Sequence, residues 1–267
     1  MYVDLYGDGI GKVEYVQHMG TDLTIVNSAR VSFGKTKAKL DKRDKRLIKY
    51  LAGHKHTSTF EHNVATFRFT VPLYIRSQHH RHRTWSYNEI SRRYTDIDIS
   101  FYEPEHFRTQ HDSNRQASNV DDPIDPILEI DMFPGNKDLS SSTCVGSASM
   151  VTRLHNANSI KIYDALIDSG VCREQARGVL PQNMYTKYYG TVNLNNLIKF
   201  VDLRLEDGAQ FEIQMVAKAC LSMAHRLWPF AIDSYIDSKG LDKDEVFVRV
   251  EDEQREIFGQ KLHNSEQ

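Results

Sequence analysis

The segment Gln78-His-His-Arg-His-Arg-Thr-Trp-Ser-Tyr-Asn-Glu-Ile-Ser-Arg-Arg-Tyr94 contains four arginines, three histidines and three aromatic residues, with Glu89 as its single carboxylate. Arginines packed this closely repel one another and keep their charge at any working pH, so a fold that gathers them usually does so around an anion. Guanidinium groups also present paired donors that match phosphate and carboxylate oxygens. The segment therefore predicts a binding site for a phosphate-bearing ligand. A solvated basic surface or a nucleic-acid contact is the alternative interpretation.

The residues before and after this segment predict the elements that hold it. Residues 65–71 alternate between apolar and polar side chains, which is typical of a half-buried strand. Pro72 ends that strand and suits the first turn of a helix that carries Gln78. Residues 81–83 should then lie near the end of this helix, and residues 97–101 alternate again, which predicts a second strand. Strand, helix, loop and strand would form the wall of a pocket.

Elsewhere the chain mixes helical and strand patterns. Helical patterns begin at Thr21 or Asp22, at about Asp41, at Met150, at Asn193 and at Ala209. The last of them predicts the longest regular helix of the chain, over residues 209–228, and Pro229 should end it. Residues 184–192 are rich in tyrosine and threonine and predict another strand. The length fits one large domain or two small ones.

Two stretches interrupt these patterns. Residues 107–149 are dominated by Asp, Asn, Ser, Gly and Pro, and their few apolar residues cannot form a core of their own. We interpret them as a long, irregular insertion within the domain. The C-terminal tail, about residues 239–267, mixes charged residues with a short alternating pattern, and its structure stays open.

Composition limits the classes of function. The 267 residues include 34 basic and 36 acidic side chains, so the chain as a whole is not basic and wholesale wrapping of nucleic acid is disfavoured. Cys144, Cys172 and Cys220 form no closely spaced pair, which argues for a reducing compartment and against a disulfide framework or a thiolate zinc site. Neither a secretory leader nor a membrane-spanning stretch is evident. We expect a cytoplasmic protein with no membrane or nucleic-acid partner.

The histidine-rich loop at residues 54–62 is a further candidate site. Its three histidines and Glu61 suggest zinc, yet their spacing is not His-Glu-x-x-His. An ordered loop capped by serine and threonine hydroxyls is therefore favoured, and no metal is expected. The glycines at positions 7, 9 and 11 do not form Gly-x-Gly-x-x-Gly, so the sequence predicts no dinucleotide-binding fingerprint.

One motif matches a known family. Arg81-His82-Arg83, followed after seven residues by Ser91, resembles the Arg-His-Arg-x7-Ser signature of the flavin-dependent thymidylate synthases, the ThyX family. Further segments resemble the family in the expected order, at residues 29–33, 53–62, 176–181 and 193–212. The resemblance covers about two-thirds of the chain, which is everything except the insertion and the C-terminal tail.

This resemblance implies a function, a fold and an assembly. The function is the reductive methylation of dUMP to dTMP, a step of nucleotide biosynthesis, with 5,10-methylenetetrahydrofolate as carbon donor and NADPH-reduced FAD as hydride source. The fold is α+β, with a mixed α/β core of the ThyX type in which a central sheet is flanked by helices, as a single domain over residues 1–267. The assembly is a homotetramer with shared active sites, and FAD held at subunit junctions would explain the missing dinucleotide fingerprint.

The resemblance also assigns residues to ligands. The positions that match nucleotide contacts are Gln78, Arg81, Glu89, Ser91, Arg93, Arg177 and Arg204. The positions that match FAD contacts are Ser58, Arg81, His82, Arg83, Glu89, Asn193, Asn195 and Lys199. Ser32, His56 and Tyr94 resemble the group at the open face of the flavin, where folate or nicotinamide would stack.

Two of these residues are expected to act in catalysis. Arg204 resembles the arginine that lies against the N3 side of uracil and favours a deprotonated, enolate-like ring, which activates C5. A fixed cation beside developing negative charge is electrostatic catalysis. Ser91 is expected to polarise and orient the substrate, since no general base is evident near it in the sequence and its neighbours are cations.

Three positions depart from the family pattern. Asn195 stands where arginine is common, Lys199 where asparagine is common, and Gly208 lies in Asp-Gly-Ala-Gln where Ser-His-Ala-Gln is more usual. The first two would alter contacts with the flavin. A nucleic-acid-binding module and a histidine-rich metallohydrolase are the rival interpretations, and neither accounts for Arg177 and Arg204.

Overall fold

The structure is a computed structural model and describes residues 1–95, 98–131 and 143–252. Its strands are β1 (Tyr2–Asp4), β2 (Lys12–Met19), β3 (Val64–Pro72), β4 (Ser86–Glu89), β5 (Phe107–Gln110), β6 (Ser118–Ile124), β7 (Ile127–Asp131), β8 (Thr143–Ser147) and β9 (Tyr185–Asn193). Its helices are α1 (Asp22–Arg30), α2 (Lys42–Gly53), α3 (Leu73–His79), α4 (Ala148–Asp168), α5 (Arg173–Ala176), α6 (Leu194–Arg204), α7 (Phe211–Leu227), α8 (Pro229–Lys239) and α9 (Lys243–Val246).

Five of the strands form one antiparallel sheet in the order β1, β2, β3, β9, β4. A single apolar core joins this sheet to α1, α2, α6, α7 and α8. At its centre, Phe69 of β3 stacks on Tyr188 of β9 with ring centroids 5.0 Å apart, as directly opposed residues of neighbouring strands can do. The predicted strands over residues 65–71 and 184–192 are therefore confirmed, and so is the mixed α and β fold with a central sheet.

The helix starts predicted from capping residues are also confirmed. The carboxylate of Asp41 accepts hydrogen bonds from the backbone N–H groups of Arg43 and Asp44 at the start of α2. Asn193 accepts one from the N–H of Asn196 at 2.9 Å, which begins α6. Such bonds satisfy N–H groups that have no partner inside their own helix, so they fix where each helix begins.

Two details of the helices differ from the prediction. Helix α4 has 21 residues and α7 has 17, so the helix within residues 209–228 is not the longest. Pro229 ends α7 as predicted, but it also occupies the first turn of α8, which the sequence pattern did not reveal. The first free N–H groups of α8, at Phe230 and Ala231, donate to Asp22 of α1 at 3.2 and 2.9 Å.

The prediction that residues 107–149 are irregular is wrong for the part that the structure describes. Strands β5 and β6 form one antiparallel pair and β7 and β8 form another. Both pairs are largely exposed. Each is therefore stabilised by the hydrogen bonds between its own two strands and by polar contacts more than by an apolar core. Residues 132–142 lie outside the described ranges, as do residues 253–267 of the predicted C-terminal tail.

The strand predicted over residues 97–101 is not formed by its described residues. Only Phe101 makes a bridge, to Met184, and Ile97 lies outside the described ranges. The chain instead returns through β4, an edge strand that pairs with β9. Within the described ranges, no helix combines the length and the apolar character that a membrane crossing requires.

Candidate active site

The turn after α3 is anchored by a buried histidine. His79 is fully buried, and its Nδ1 lies 2.8 Å from the hydroxyl of Tyr188. Its ring packs edge-on against Trp85 with centroids 4.5 Å apart. Burial holds the pKa of His79 well below its usual value, so the ring is neutral. This histidine belongs to the core, and it fixes the backbone on which Arg81 and Arg83 are exposed.

Strand β4 carries Glu89 back along the sheet. The Oε1 atom of Glu89 accepts hydrogen bonds from Arg76 Nε at 3.1 Å and from Thr186 Oγ1 at 2.7 Å. Two donors therefore hold the only carboxylate of the 78–94 segment. Because this carboxylate and the buried His79 are used within the protein, the segment is not a uniform basic surface.

A cavity of about 530 Å³ lies beside β4, and we call it the Ser91 cavity. Three of the predicted nucleotide contacts line it, namely Glu89, Ser91 and Arg177. The backbone N–H of Arg93 donates to Ser91 Oγ at 3.3 Å, which leaves the hydroxyl hydrogen free to point to a ligand. The Ser91 cavity thus offers a hydroxyl donor and a guanidinium on one wall.

The cations around the Ser91 cavity differ in how they are neutralised. Arg76 is bonded to Glu89, and Arg93 forms an ion pair with Glu174 at 3.5 Å. The guanidinium of Arg177 makes neither a hydrogen bond nor an ion pair with any residue in the described ranges. An unneutralised guanidinium on a cavity wall favours an anionic ligand.

A second group of predicted residues meets at the C-terminal end of α6, and we call Gln78, His82 and Arg204 the Arg204 cluster. Arg204 Nε donates to His82 Nε2 at 3.1 Å, and its Nη2 donates to the backbone oxygen of Gln78 at 3.5 Å. Burial lowers the pKa of Arg204, which is the direction expected for a cation partly removed from water. An arginine nevertheless keeps its charge at neutral pH. The cluster therefore holds a fixed and partly desolvated guanidinium.

His82 serves as a hydrogen-bond acceptor in the Arg204 cluster. Burial, and then the charge of Arg204, lower the pKa of His82 to about 4. The ring is therefore neutral at pH 7, and since Nε2 accepts from Arg204, the ring proton lies on Nδ1. This tautomer leaves one N–H donor of His82 that no residue in the described part of the chain accepts.

The residues predicted for the open flavin face lie on exposed surface. Ser32 is in the short 3-10 turn Val31–Phe33 that follows α1. The ring of His56 stacks near that of Tyr50, with centroids 6.0 Å apart. Tyr94 is 79% exposed. Exposed rings of this kind provide faces against which a planar group can stack.

The predicted flavin contacts are partly engaged by the protein itself. Asn193 caps α6, and Asn195 is buried and donates to Glu61 Oε1 at 2.7 Å. Ser58 and Lys199 are exposed, and their side chains make no hydrogen bond to the described residues. Glu61 of the histidine-rich loop therefore has an amide as its partner. In the described ranges no group of three or more His, Cys, Asp or Glu side chains is arranged to hold a metal ion.

One chain does not bring all the predicted site residues together. Within the ranges that the structure describes, no side-chain hydrogen bond or ion pair links the Ser91 cavity to the Arg204 cluster, and no member of that cluster lines the cavity. Ser32 and His56 form a third group near the N-terminal helices. The predicted site residues thus fall into groups that no side-chain hydrogen bond or ion pair joins within the described part of one subunit.

Sequence reasoning missed three residues that contact the Arg204 cluster directly or through one another. Gln78 Nε2 donates to Gln210, Gln210 Nε2 donates to Glu212 at 2.9 Å, and Arg108 Nη2 donates to Glu212 at 2.8 Å. Two signals in the sequence pointed to them. Gln210 and Glu212 lie in the segment 193–212 that resembles the family. Glu212 is a carboxylate at the start of an otherwise apolar helical stripe, and a buried carboxylate needs a partner.

The buried histidines should make stability depend on pH. Unfolded histidines take up a proton near pH 6.5, whereas burial holds the pKa of His79 well below that value and, with the charge of Arg204, lowers the pKa of His82 to about 4. The unfolded state then binds more protons, so the free energy of unfolding should fall as the pH drops from 6.5 toward 4. In urea unfolding at several pH values, His79→Phe should show a shallower fall than the wild type. Parallel profiles for the two proteins would contradict this account.

Known proteins resemble this chain over most of its length. Residues 14–230 match the family model described as thymidylate synthase complementing protein, Thy1. A flavin-dependent thymidylate synthase of Thermosipho africanus is 36% identical over 227 residues, which cover 85% of this chain and 91% of that protein. The corresponding protein of Thermus thermophilus is 39% identical over 221 residues, which cover 83% of this chain and 74% of the relative.

Solved structures show the same relationship. The UMP/dUMP methylase PolB from Streptomyces cacaoi, bound with 5-Br UMP, superposes with a TM-score of 0.68 and 28% sequence identity, covering 86% of this chain and 95% of PolB. The same methylase bound with 5-Br dUMP gives a TM-score of 0.67 at 28% identity, covering 88% and 97% of the two chains.

Proposed function

We propose the carbon donor, the hydride source and the assembly of this chain, which belongs to the Thy1 family of flavin-dependent thymidylate synthases. It is thus a methyltransferase that acts on dUMP. The carbon donor is 5,10-methylenetetrahydrofolate, and the hydride comes from FAD that NADPH has reduced. The chain folds as a single domain over residues 1–267 and works as a homotetramer in the cytoplasm.

One observation carries this proposal. The guanidinium groups of Arg81, Arg83 and Arg177 make no ion pair with any described residue, although Arg76 and Arg93 nearby are paired with carboxylates. A guanidinium that has no carboxylate partner can give its charge and its paired donors to a bound anion. Substrate phosphate and cofactor diphosphate are such anions.

We assign the nucleotide phosphate to the Ser91 cavity. Arg177 would supply charge and Ser91 a neutral donor, which together match a phosphate in charge and in hydrogen-bonding pattern. Glu89 and Arg93 complete the predicted contacts of this side, with Gln78, Arg81 and Arg204 on the other. The nucleotides bound to PolB have the same chemical form of a uracil base with one phosphate.

The residues present also fit FAD. Arg83 and Lys199 are exposed cations that suit a diphosphate, while Ser58 and Asn193 offer neutral polar groups. Arg81, His82, Glu89 and Asn195 complete the proposed FAD set. When bound, FAD would supply hydride transfer, which no side chain of the described residues can do. The exposed Ser32, His56 and Tyr94 leave room for a folate or nicotinamide ring to stack.

Arg204 is proposed to activate the substrate. His82 and the Gln78 carbonyl already hold two of its N–H donors, so the remaining donors have a fixed direction. C5 of uracil becomes a stronger nucleophile when the ring takes its deprotonated, enolate-like form, in which negative charge lies on the N3 side. A guanidinium that is already partly desolvated stabilises that charge more than a hydrated one would.

Ser91 is proposed to orient the substrate. Two carboxylates line the Ser91 cavity, and both are engaged: Glu89 accepts from Arg76 and Thr186, and Glu174 pairs with Arg93. Neither is well placed to take a proton from the hydroxyl. We propose that the Ser91 cavity of one subunit and the Arg204 cluster of another face the same ligand. This arrangement accords with the lack of a hydrogen bond or ion pair between the two groups in the described part of one chain, and it fits the proposed homotetramer with shared active sites.

The function can be tested with the purified chain. We expect the protein to bind FAD, to show a visible flavin spectrum that NADPH bleaches, and to convert dUMP to dTMP only when methylenetetrahydrofolate is present. Chromatography of the nucleotides measures dTMP, and omission of each component in turn provides the controls. A chain that cannot be reconstituted with FAD, or that forms dTMP at the same rate without it, would refute the proposal.

A further inference from the structure

Arg108, on strand β5, connects the insertion to the main fold. Its Nη2 donates to Glu212 Oε1 at 2.8 Å, and only 3% of the Glu212 side chain is exposed. Its Nε donates to Ser118 Oγ on the paired strand β6 at 3.0 Å, and its guanidinium lies 5.1 Å from the ring centre of Phe211. Arg108 is therefore held on three sides and is the cation that offsets a buried carboxylate.

Glu212 sets the orientation of two amides in succession. A carboxylate can only accept, so the amide nitrogen of Gln210 must face Glu212, with which it bonds at 2.9 Å. The carbonyl oxygen of Gln210 consequently faces Gln78, whose own amide nitrogen donates to it. This chain of donors leaves the carbonyl oxygen of Gln78 pointing away from Gln210. Reversing either amide would put two acceptors against each other.

The loop that carries Gln210 also fits the insertion closely. A Cβ atom at Gly208 would lie 3.3 Å from the side-chain nitrogen of Asn114, which lies between β5 and β6. A larger residue at position 208 would therefore press on this loop. The β5–β6 pair thus contacts the main fold at Gly208 as well as at Glu212.

We propose that Arg108 is a positioning residue for substrate binding, which acts through Glu212 and Gln210 to fix the amide of Gln78 in one orientation. The inference rests on the proposed function, in which Gln78 contacts the nucleotide. It gives the β5–β6 pair of the insertion a role in the site. Gln78 then presents an acceptor to a ligand N–H, and His82 and Arg204 beside it present donors.

A double-mutant cycle tests this link. Arg108→Met should raise the KM for dUMP about tenfold, the loss expected when one oriented hydrogen bond to the ligand is no longer held in place. Gln78→Met should raise it by a similar factor, and the double variant should be no worse than Gln78→Met alone. Arg115→Met, in the loop that joins the same two strands but outside this network, is the matched control and should leave KM unchanged.

The outcomes separate the possible explanations. If Arg108 only stabilises the fold, Arg108→Met will raise the KM for dUMP by the same factor in the Gln78→Met background as in the wild type, and the inference is overturned. The inference is also overturned if Arg108→Met has the same KM as Arg115→Met. If Arg108→Met does not fold because Glu212 loses its partner, Arg108→Met/Glu212→Gln removes both charges and should still raise KM. A wild-type protein that forms no dTMP would instead refute the proposed function.

Discussion

Replacing Arg204 with alanine should lower the rate of dTMP formation about 100- to 1,000-fold while FAD binding is retained, because removing one preorganised donor at a developing negative charge has effects of this size. The loss should appear in kcat and in kcat/KM together, since the interaction matters most when charge develops on the uracil ring. Flavin absorbance after gel filtration measures retention of the cofactor, and chromatography of the nucleotides measures the rate.

The geometry explains why so large an effect is expected from one side chain. Arg204 is held by His82 Nε2 at 3.1 Å and by the Gln78 carbonyl, so it needs little reorganisation when the charge develops. The low pKa of His82 keeps that ring neutral at pH 7, so the ring accepts from the guanidinium without opposing its charge. Water does not replace such a group well, because free water must reorient as the charge forms.

A lysine at this position provides the control. Arg204→Lys keeps the charge but loses the planar set of donors that reaches His82 and the ligand together, so we expect only partial recovery of activity. If Arg204→Ala retained nearly wild-type kcat, or if it lost FAD and activity in parallel, the assignment to the substrate would be wrong. Thermal unfolding of each variant shows whether its fold is intact.

Much of the fold follows from local signals in the sequence. Asp41 and Asn193 fix the starts of α2 and α6 because each side chain bonds to N–H groups two or three residues further on. The alternation over residues 65–71 identifies β3 because only one pairing register of this strand buries its aromatic side chains. Such interactions lie within a few positions of one another, and a pattern can therefore reveal them.

The elements that were missed depend on distant partners. Strand β4 is short, polar and mostly exposed, and only its pairing with β9, about 100 positions later, makes it a strand. The strands of the β5–β6 and β7–β8 pairs are also mostly exposed. Burial in a core does not mark such strands in the sequence, because each is a strand chiefly through pairing with its neighbour.

The residues of the site also differ in whether the sequence or only the fold reveals them. The motif includes Ser91, and the wider resemblance to the family includes Arg177 and Arg204, but nothing in their spacing indicates that they belong to separate groups on one chain. The bond between Arg108 and Glu212 joins positions 104 residues apart, so it could not be recognised without the fold. The resemblance to the family predicts which residues meet the ligand, and the fold identifies those that hold them in place.

Replacing Arg177 with glutamine should weaken the binding of dUMP about tenfold to a hundredfold and leave the binding of deoxyuridine nearly unchanged. The two ligands differ only in the phosphate, and a hydrogen bond to a charged group contributes about 1.5–3 kcal/mol, which corresponds to that range. Arg177 is suited to this role because it lines the Ser91 cavity and has no ion pair in the described part of the chain.

Isothermal titration calorimetry of the FAD-loaded protein measures both affinities. The affinity for dUMP is measured by direct titration, and that for deoxyuridine by its competition against dUMP. Arg173→Gln is the matched control, because Arg173 lies in the same segment but does not line the Ser91 cavity. Its dUMP affinity should equal that of the wild type. If Arg177→Gln weakens dUMP and deoxyuridine by the same factor, the loss does not come from the phosphate, and the Ser91 cavity must bind another part of the nucleotide.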